Sequence, residues 1–283
     1  MMRGVNGKRK GEVSVSVIIP CYCCDDTIER AVNSVMAQTV LPKELLLIDD
    51  ASPDQGRTVS KLYALKQRYC SDVYIEVITL QSNKGPAVAR NTGWDLAKQD
   101  YIAFLDSDDS WHSEKLEIQY AWMEKHSGVS LTGHRCILWK DEVKQERVPT
   151  NWSVSSIGKR SALLHNPFST PSVMLRRDLH FRFERGLYYA EDYYLWLNIV
   201  SSGHLISRIE LPLAYLHKAH YGELGLSSHM WAMEKAELAN YRRLCQRGYI
   251  NQLYAMLLCM YSFAKYCRRM LIVSAKRSRL FSL

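Results

Sequence analysis

The chain has 283 residues, 47% hydrophobic and 23% charged, with 14 Gly and 8 Pro; this composition excludes collagen-like, low-complexity and wholly disordered chains and leaves enough material to bury a sizeable core. Lys and Arg outnumber Asp and Glu by 37 to 29, but the excess sits at the ends: Arg3, Lys8, Arg9 and Lys10 precede the first acid, Glu12, and nine cations follow the last, Glu237. The body between is mildly acidic, which argues against a nucleic-acid-binding stripe across the fold.

Residues 13–20 (VSVSVIIP) form a β-branched run closed by Pro, the pattern of a buried parallel strand. Asp25, Asp26 and Thr27 offer N-caps for a helix through Gln38, with Ile28, Val32, Val35 and Met36 on one face. A second strand at 45–48 ends in Asp49-Asp50. A helix at 57–69, a strand at 75–79, a helix at 86–98 with Pro in its first turn and a strand at 101–105 continue the alternation. This spacing predicts a mostly parallel, doubly wound α/β sheet, which binds ligands at the carboxyl ends of its strands. After a helix at 113–125 the order loosens: strand at 129–139, charged turn at 140–147, mixed loop and helix at 151–171, short strand at 172–175, helix at 191–201, strand at 211–217. From Trp231 the pattern is continuously helical.

The chain divides accordingly into a basic tail (1–12), a main domain (13–230, with halves 13–125 and 126–230) and a basic helical extension (231–283). The first twelve residues lack the apolar region of a signal peptide, and the longest apolar stretch, 253–264, falls short of the ~20 residues of a spanning helix. The expectation is a cytoplasmic protein. Eight Cys, three of them crowded as Cys21, Cys23 and Cys24, have no paired metal-site spacing and read as reduced thiols.

Five constellations can carry chemistry. Asp49 and Asp50 end a strand, where they can accept hydrogen bonds from a base or sugar or simply cap the next turn. Lys84, Gly85 and Arg90 surround a helix start suited to an anion. Asp106, Asp108 and Asp109, with Ser107 among them, crowd another strand end. Three carboxylates so close repel unless a cation joins them, and oxygen-only ligands favour Mg²⁺ or Mn²⁺ completed by water and a diphosphate. Glu191 and Asp192 open a helix among aromatics, where either could serve as a general base or as a cap. His217 and His220 could add a metal ligand or touch a diphosphate.

In this order the motifs resemble those of the family 2 glycosyltransferases, which have the A-type nucleotide-diphospho-sugar transferase fold. The resemblance covers about residues 13–230 and rests on 15–21 (VSVIIPC) with Tyr22, 47–54 (LIDDASPD), 83–85 (NKG) with 89–91 (ARN), 105–109 (LDSDD) and 190–197 (AEDYYLWL). It implies an inverting transfer of a sugar from a nucleotide-diphospho-sugar, with a UDP-sugar favoured, to a hydroxyl of a saccharide or lipid-linked saccharide, in bacterial surface polysaccharide or lipopolysaccharide synthesis. Carried onto this chain, it places Pro20, Tyr22, Asp50, Lys84, Gly85, Arg90, Asp106 and Ser107 around the nucleotide sugar, with Asp50 on the base. Asp106 and Asp108 form the Asp-x-Asp element, Asp109 and His217 are further candidate ligands for Mn²⁺ or Mg²⁺, and Asp192 is the general base. The Cys21-Tyr-Cys-Cys stretch departs from the family, which often has Thr or Val, then Tyr, then Asn.

Other classes fare less well. A dinucleotide-dependent oxidoreductase needs Gly-x-Gly-x-x-Gly after the first strand, where this chain has Pro20-Cys-Tyr-Cys-Cys-Asp. An Asp-dependent phosphatase leaves Asp49-Asp50 unexplained. A non-catalytic nucleotide-sugar-binding protein remains an alternative. At 100° per residue, Lys265, Arg268, Arg269, Lys276 and Arg279 share one arc of the last helix, and Met256, Met260, Phe263, Cys267, Met270, Leu271 and Phe281 project on the other side. Such a basic, amphipathic, non-spanning helix is expected to hold the enzyme peripherally on an anionic membrane surface, the cytoplasmic face of the inner membrane.

Overall fold

The computed structural model describes residues 11–139, 147–217 and 229–280, with side chains described through 272. Most of the charged turn, His220, the Gly225–Ser228 segment, Phe281 and the side chains of Lys276 and Arg279 lie outside the described residues.

The first half follows the alternation read from sequence: β1 (Glu12–Cys21), α1 (Ile28–Met36), β2 (Leu41–Asp49), α2 (Arg57–Tyr69), β3 (Tyr74–Thr79), α3 (Pro86–Leu96) and β4 (Tyr101–Phe104). These strands pair in parallel in the order β3-β2-β1-β4. The chain moves outward from β1 through β2 to β3, then returns to the other side of β1, so the strand order reverses between β1 and β4. A crevice opens at such a reversal, beyond the strands' carboxyl ends. Here it falls at Pro20–Tyr22 and Asp106.

Both faces of these strands are covered, which is why they read as unbroken apolar runs. Alternate residues supply two cores. Val15, Val17, Ile19, Leu45 and Leu47 pack with Ile28, Val32, Val35 and Leu62 on one face, while Ile18, Leu46, Ile48, Ile102 and Phe104 pack with Trp94 and Trp196 on the other. Helix α3 lies so close to β1 that a Cβ on Gly93 would come within 2.5 Å of Ile18 Cγ2. The expected N-cap of α1 is absent: Thr27 precedes the helix without a side-chain cap, its hydroxyl donates to the Cys24 carbonyl, and Asp25 pairs instead with Arg57 at 3.4 Å.

The second half extends the sheet with mixed pairing. β5 (Ser110–Trp111), α4 (Lys115–Lys125), β6 (Val129–Leu138), β7 (Val154–Ser156), α5 (Lys159–Leu164), β8 (Met174–Arg176), α6 (Glu191–Ser201) and β9 (Leu205–Leu216) follow. β8 inserts antiparallel between β4 and β6, and β6 runs parallel to β9. The nine-stranded sheet is therefore an α/β sheet with a parallel half, β1 to β4, and a mixed second half.

The expected continuous C-terminal helix is two helices, α7 (Met230–Gln246) and α8 (Gln252–Leu280), broken at Gly248, whose φ of 75° ends α7. Both join the main core through Tyr241, Leu244, Ile250, Ala255 and Leu258. Polar ties reinforce this: Tyr241 donates to the Leu163 carbonyl at 2.9 Å and Asn240 to the Ala190 carbonyl at 3.0 Å. No helix among the described residues is long and apolar enough to cross a membrane, and all eight cysteines are free thiols.

Candidate active site

A single cleft of about 1240 Å³ runs from the β1/β4 crevice to α7 and α8. Pockets for one small ligand span roughly 300–1,000 Å³, so this one has room for two substrates. Pro20, Tyr22, Asp50, Gly85, Arg90, Asp106, Ser107, Asp108, Asp109, Glu191 and Asp192 all line it. Lys84 and His217 are not among the lining residues.

The adjacent acids Asp49 and Asp50 divide the two roles left open by sequence. Asp49 accepts from the Ser52 hydroxyl at 2.6 Å and so closes the turn after β2. Asp50 accepts from the backbone N–H groups of Lys84 at 2.9 Å and Gly85 at 2.7 Å, pinning the loop that starts α3. Burial raises the Asp50 carboxyl above its ordinary value, against the lowering effect of those two N–H groups. Gly85 has φ 84° and carries Tyr188 against it, 3.1 Å from where a Cβ would stand. That position requires glycine for both conformation and space. Tyr22 and Tyr188 leave exposed aromatic faces at the cleft edge.

Arg90 is not a free phosphate ligand. Its guanidinium donates to Asp106 Oδ1 at 2.7 Å and Glu191 Oε1 at 2.9 Å, and lies 5.4 Å from the Phe183 ring centroid. Burial works against its charge, but Asp106 and Glu191 outweigh it and hold its pKa above the usual value. Glu191 is pushed up to about 7, mainly by burial, with Arg90 opposing and Asp192 adding to the rise.

Asp192 is left without that ion pair. Its Oδ1 accepts from the Tyr193 N–H at 2.6 Å and its Oδ2 from the Thr170 hydroxyl at 3.2 Å. Position at a helix start would lower its basicity, yet burial prevails and the carboxyl is raised. A raised carboxyl accepts a proton more readily at neutral pH, which suits a general base.

The acidic loop is crowded as its sequence implies. Asp109 is pushed up to about 8 by burial and then by Asp106 and Asp108. Its Oδ1 accepts the His217 backbone N–H at 3.3 Å. A group of carboxylates this reluctant to ionise together fits a divalent cation, which relieves the repulsion. Among the described residues no three His, Cys, Asp or Glu form a ready-made metal cage, so the donor set suits an ion completed by water and substrate oxygen. His217 fits the ligand role poorly. Its Nε2 bonds the Ser110 hydroxyl at 2.8 Å and its ring stacks on Trp139, while its backbone N–H reaches Asp109 of the acidic loop.

Several lining residues were not placed in the site from sequence: His134, Arg135 and Cys136 of β6, the His165–Thr170 segment, and Lys265, Arg268 and Arg269 of α8. The first two groups lie in stretches without a recognisable motif. The third was visible as a basic arc, but only packing reveals which way it faces.

The parallel order β3-β2-β1-β4 extended by a mixed half, with a carboxylate loop after β4 and a second acidic pair lining the same cleft, is the arrangement of a nucleotide-diphospho-sugar transferase fold. Residues 16–181 match the model of Glycosyl transferase family 2, and the chain belongs to that family. It is 34% identical over 191 residues, 68% of this chain and 71% of the relative, to UDP-Glc:alpha-D-GlcNAc-diphosphoundecaprenol beta-1,3-glucosyltransferase WfgD of Escherichia coli. It is 30% identical over 235 residues, 81% of this chain and 88% of the relative, to the putative teichuronic acid biosynthesis glycosyltransferase TuaG of Bacillus subtilis. Among solved structures, S. aureus TarS 1-349 in complex with UDP-GlcNAc matches with a TM-score of 0.63 at 21% identity, over 87% of this chain and 70% of that one. This last likeness carries the fold alone.

Proposed function

We propose that this glycosyltransferase moves a sugar from a UDP-sugar, with inversion, to a hydroxyl of a lipid-linked saccharide in bacterial surface polysaccharide synthesis. The observation that carries the reading is the division of labour around Arg90. Its guanidinium takes up Asp106 and Glu191, leaving Asp192 with a raised carboxyl facing the same cleft as the acidic loop. The relatives named for UDP-glucose transfer to a diphosphoundecaprenol-linked sugar and for teichuronic acid synthesis support the donor and acceptor classes.

In this reading Tyr22 and Asp50 border the base, and the Asp50 clamp on Lys84 and Gly85 holds the α3 start in place for it. Asp108 and Asp109 would hold Mn²⁺ or Mg²⁺, which when bound neutralises the diphosphate as it leaves. Asp192 takes the proton from the acceptor hydroxyl as that oxygen attacks the anomeric carbon from the opposite side. The acceptor oxygen gains the glycosidic bond, the diphosphate departs with the old bond's electron pair, and the configuration inverts. The apolar outer side of α8 supports peripheral attachment to a membrane, where a lipid-linked acceptor resides.

The test is a turnover screen of UDP-sugars with Mn²⁺ and short-chain diphosphate-linked saccharides, followed by NMR of the product. A β-linked product from an α-linked donor is expected. Retention of the α configuration excludes the single displacement, and phosphate release from simple esters without a nucleotide points to a phosphatase.

A further inference from the structure

The α8 end of the cleft has a charge pattern of its own. Lys265, Arg268 and Arg269 line it, together with Glu234 and Glu237 of α7 and the apolar Met233 and Ile272. Lys265 donates to the Leu164 carbonyl at 2.9 Å and to Glu237 at 3.1 Å, and Arg269 donates to Glu234 at 3.4 Å. Arg268 is exposed and has no ion pair among the described residues. Three cations thus meet two carboxylates, and Arg269 commits one of its five N–H donors. This leaves net positive charge and spare donors pointing at an open cleft. The nucleotide's own phosphates belong at the other end, beside Asp106–Asp109, so this strip suits a second anion.

The same helix says what is attached to that anion. Beyond the cations, the outward side of α8 exposes Leu253 (63%), Met256 (54%), Leu257 (50%), Met260 (63%), Phe263 (47%) and Leu271 (72%). At 100° per residue these form one stripe. Ile272 lies within the basic arc, lining the cleft while remaining 46% exposed. A charged wall therefore gives way to an apolar one at the cleft mouth, on a single helix. A ligand matching both has an anionic group inside the mouth and an apolar chain leaving along α8 into lipid.

We propose that Lys265, Arg268 and Arg269 form a subsite for the diphosphate of a polyprenyl-diphosphate-linked acceptor, whose chain leaves the cleft past Ile272 toward the bilayer. The proposal rests on the reading of the chain as a transferase acting on lipid-linked acceptors and assigns that acceptor's anchor to named side chains. It also reassigns Lys265, Arg268 and Arg269 from the membrane surface to the substrate.

The experiment titrates the full-length protein, with Mn²⁺ and saturating UDP filling the donor site, with farnesyl diphosphate, farnesol and inorganic pyrophosphate, read by calorimetry. Farnesyl diphosphate is expected to bind more tightly than either fragment. Arg268→Gln, whose exposed side chain leaves folding intact, should weaken it about tenfold, and Arg268→Gln with Arg269→Gln further, with the Kd for UDP unchanged. Equal affinity of wild type and Arg268→Gln for farnesyl diphosphate overturns the proposal. Pyrophosphate binding as tightly as farnesyl diphosphate refutes the lipid assignment and leaves a free-phosphate site. Loss of Arg268→Gln binding to anionic vesicles, with farnesyl diphosphate affinity intact, returns these cations to the membrane surface. The UDP titration reads the parent assignment separately: a chain that ignores UDP yet binds farnesyl diphosphate through Arg268 keeps the subsite and loses the transferase reading.

Discussion

Arg90 and Glu191, 101 residues apart in the chain, meet as a buried ion pair at 2.9 Å. The contact joins α3, whose start is pinned by Asp50, to α6, which carries Asp192. Because the same guanidinium also binds Asp106, one side chain sets the spacing between the acidic loop and the helix bearing the candidate base. Removing one partner of a buried pair leaves the other uncompensated, at a cost of roughly 3–5 kcal/mol. Arg90→Ala should therefore lower the melting temperature strongly and abolish transfer. Arg90→Lys should recover part of the stability but little activity, since an ammonium lacks the planar fork that serves two carboxylates at once. Thermal unfolding and kcat of the two variants check this; full activity in Arg90→Lys counts against the spacer role.

Asp192→Asn should keep UDP affinity and thermal stability while losing kcat by a factor on the order of 10²–10⁴, the contribution of a positioned general base. Glu191→Gln is the contrasting variant. It disrupts the Arg90 ion pair, so its main effect should be a lower melting temperature with a smaller loss of kcat. The reverse pattern, a stable but inactive Glu191→Gln and an unstable Asp192→Asn, would place the base on Glu191 and make Asp192 a helix cap.

How far the sequence disclosed this site varies with the physics of each part. The parallel strands β1 to β4 were legible because burial on both faces leaves continuous apolar runs; the acidic pairs and the acidic loop were legible as acids at element ends, while the choice of Asp50 over Asp49 and of Asp192 over Glu191 came from the family resemblance. Residues 110–111 were illegible as a strand: two residues carry no periodicity, and only pairing with Tyr215 and Ala214 of β9 makes them one. Arg90 looked like a phosphate ligand because its two carboxylate partners lie 16 and 101 residues away. The two faces of α8 were visible as periodicity, but their direction depended on Glu234 and Glu237 of α7, which draw Lys265 and Arg269 inward.

The acidic loop gives a pH-dependent prediction. Asp109 folded is pushed up to about 8, against 3.8 ordinarily, so without metal the folded state keeps a proton that the unfolded chain has released. This carboxyl's contribution to stability is then present at low pH and diminishes as pH rises from about 4 to 8. A metal must displace that proton. The apparent affinity for Mn²⁺ in the presence of UDP should rise with pH, by up to about tenfold per unit, and flatten above pH 8. Asp109→Asn should abolish that slope. Asp108→Asn should weaken UDP binding in Mn²⁺ far more than in EDTA. Equal UDP affinity of wild type and Asp108→Asn in Mn²⁺ removes Asp108 from the ligand set.

The outward stripe of α8 predicts how the protein meets a membrane. Because Lys265 and Arg269 are paired with Glu237 and Glu234, attachment should depend on apolar burial more than the basic arc alone suggests. Burying a large apolar side chain contributes about 1.5–3 kcal/mol, so exposed Leu253 and Met260 together can decide whether the protein partitions. Their replacement by Glu should reduce vesicle co-sedimentation more than tenfold with both neutral and anionic lipid. Activity on a water-soluble acceptor should survive, since neither residue lines the cleft. Salt distinguishes the two modes, because screening weakens headgroup attraction and leaves apolar insertion largely intact. Binding that persists in Leu253→Glu with Met260→Glu but vanishes at high salt would assign attachment to the basic residues, with the stripe left as ordinary surface.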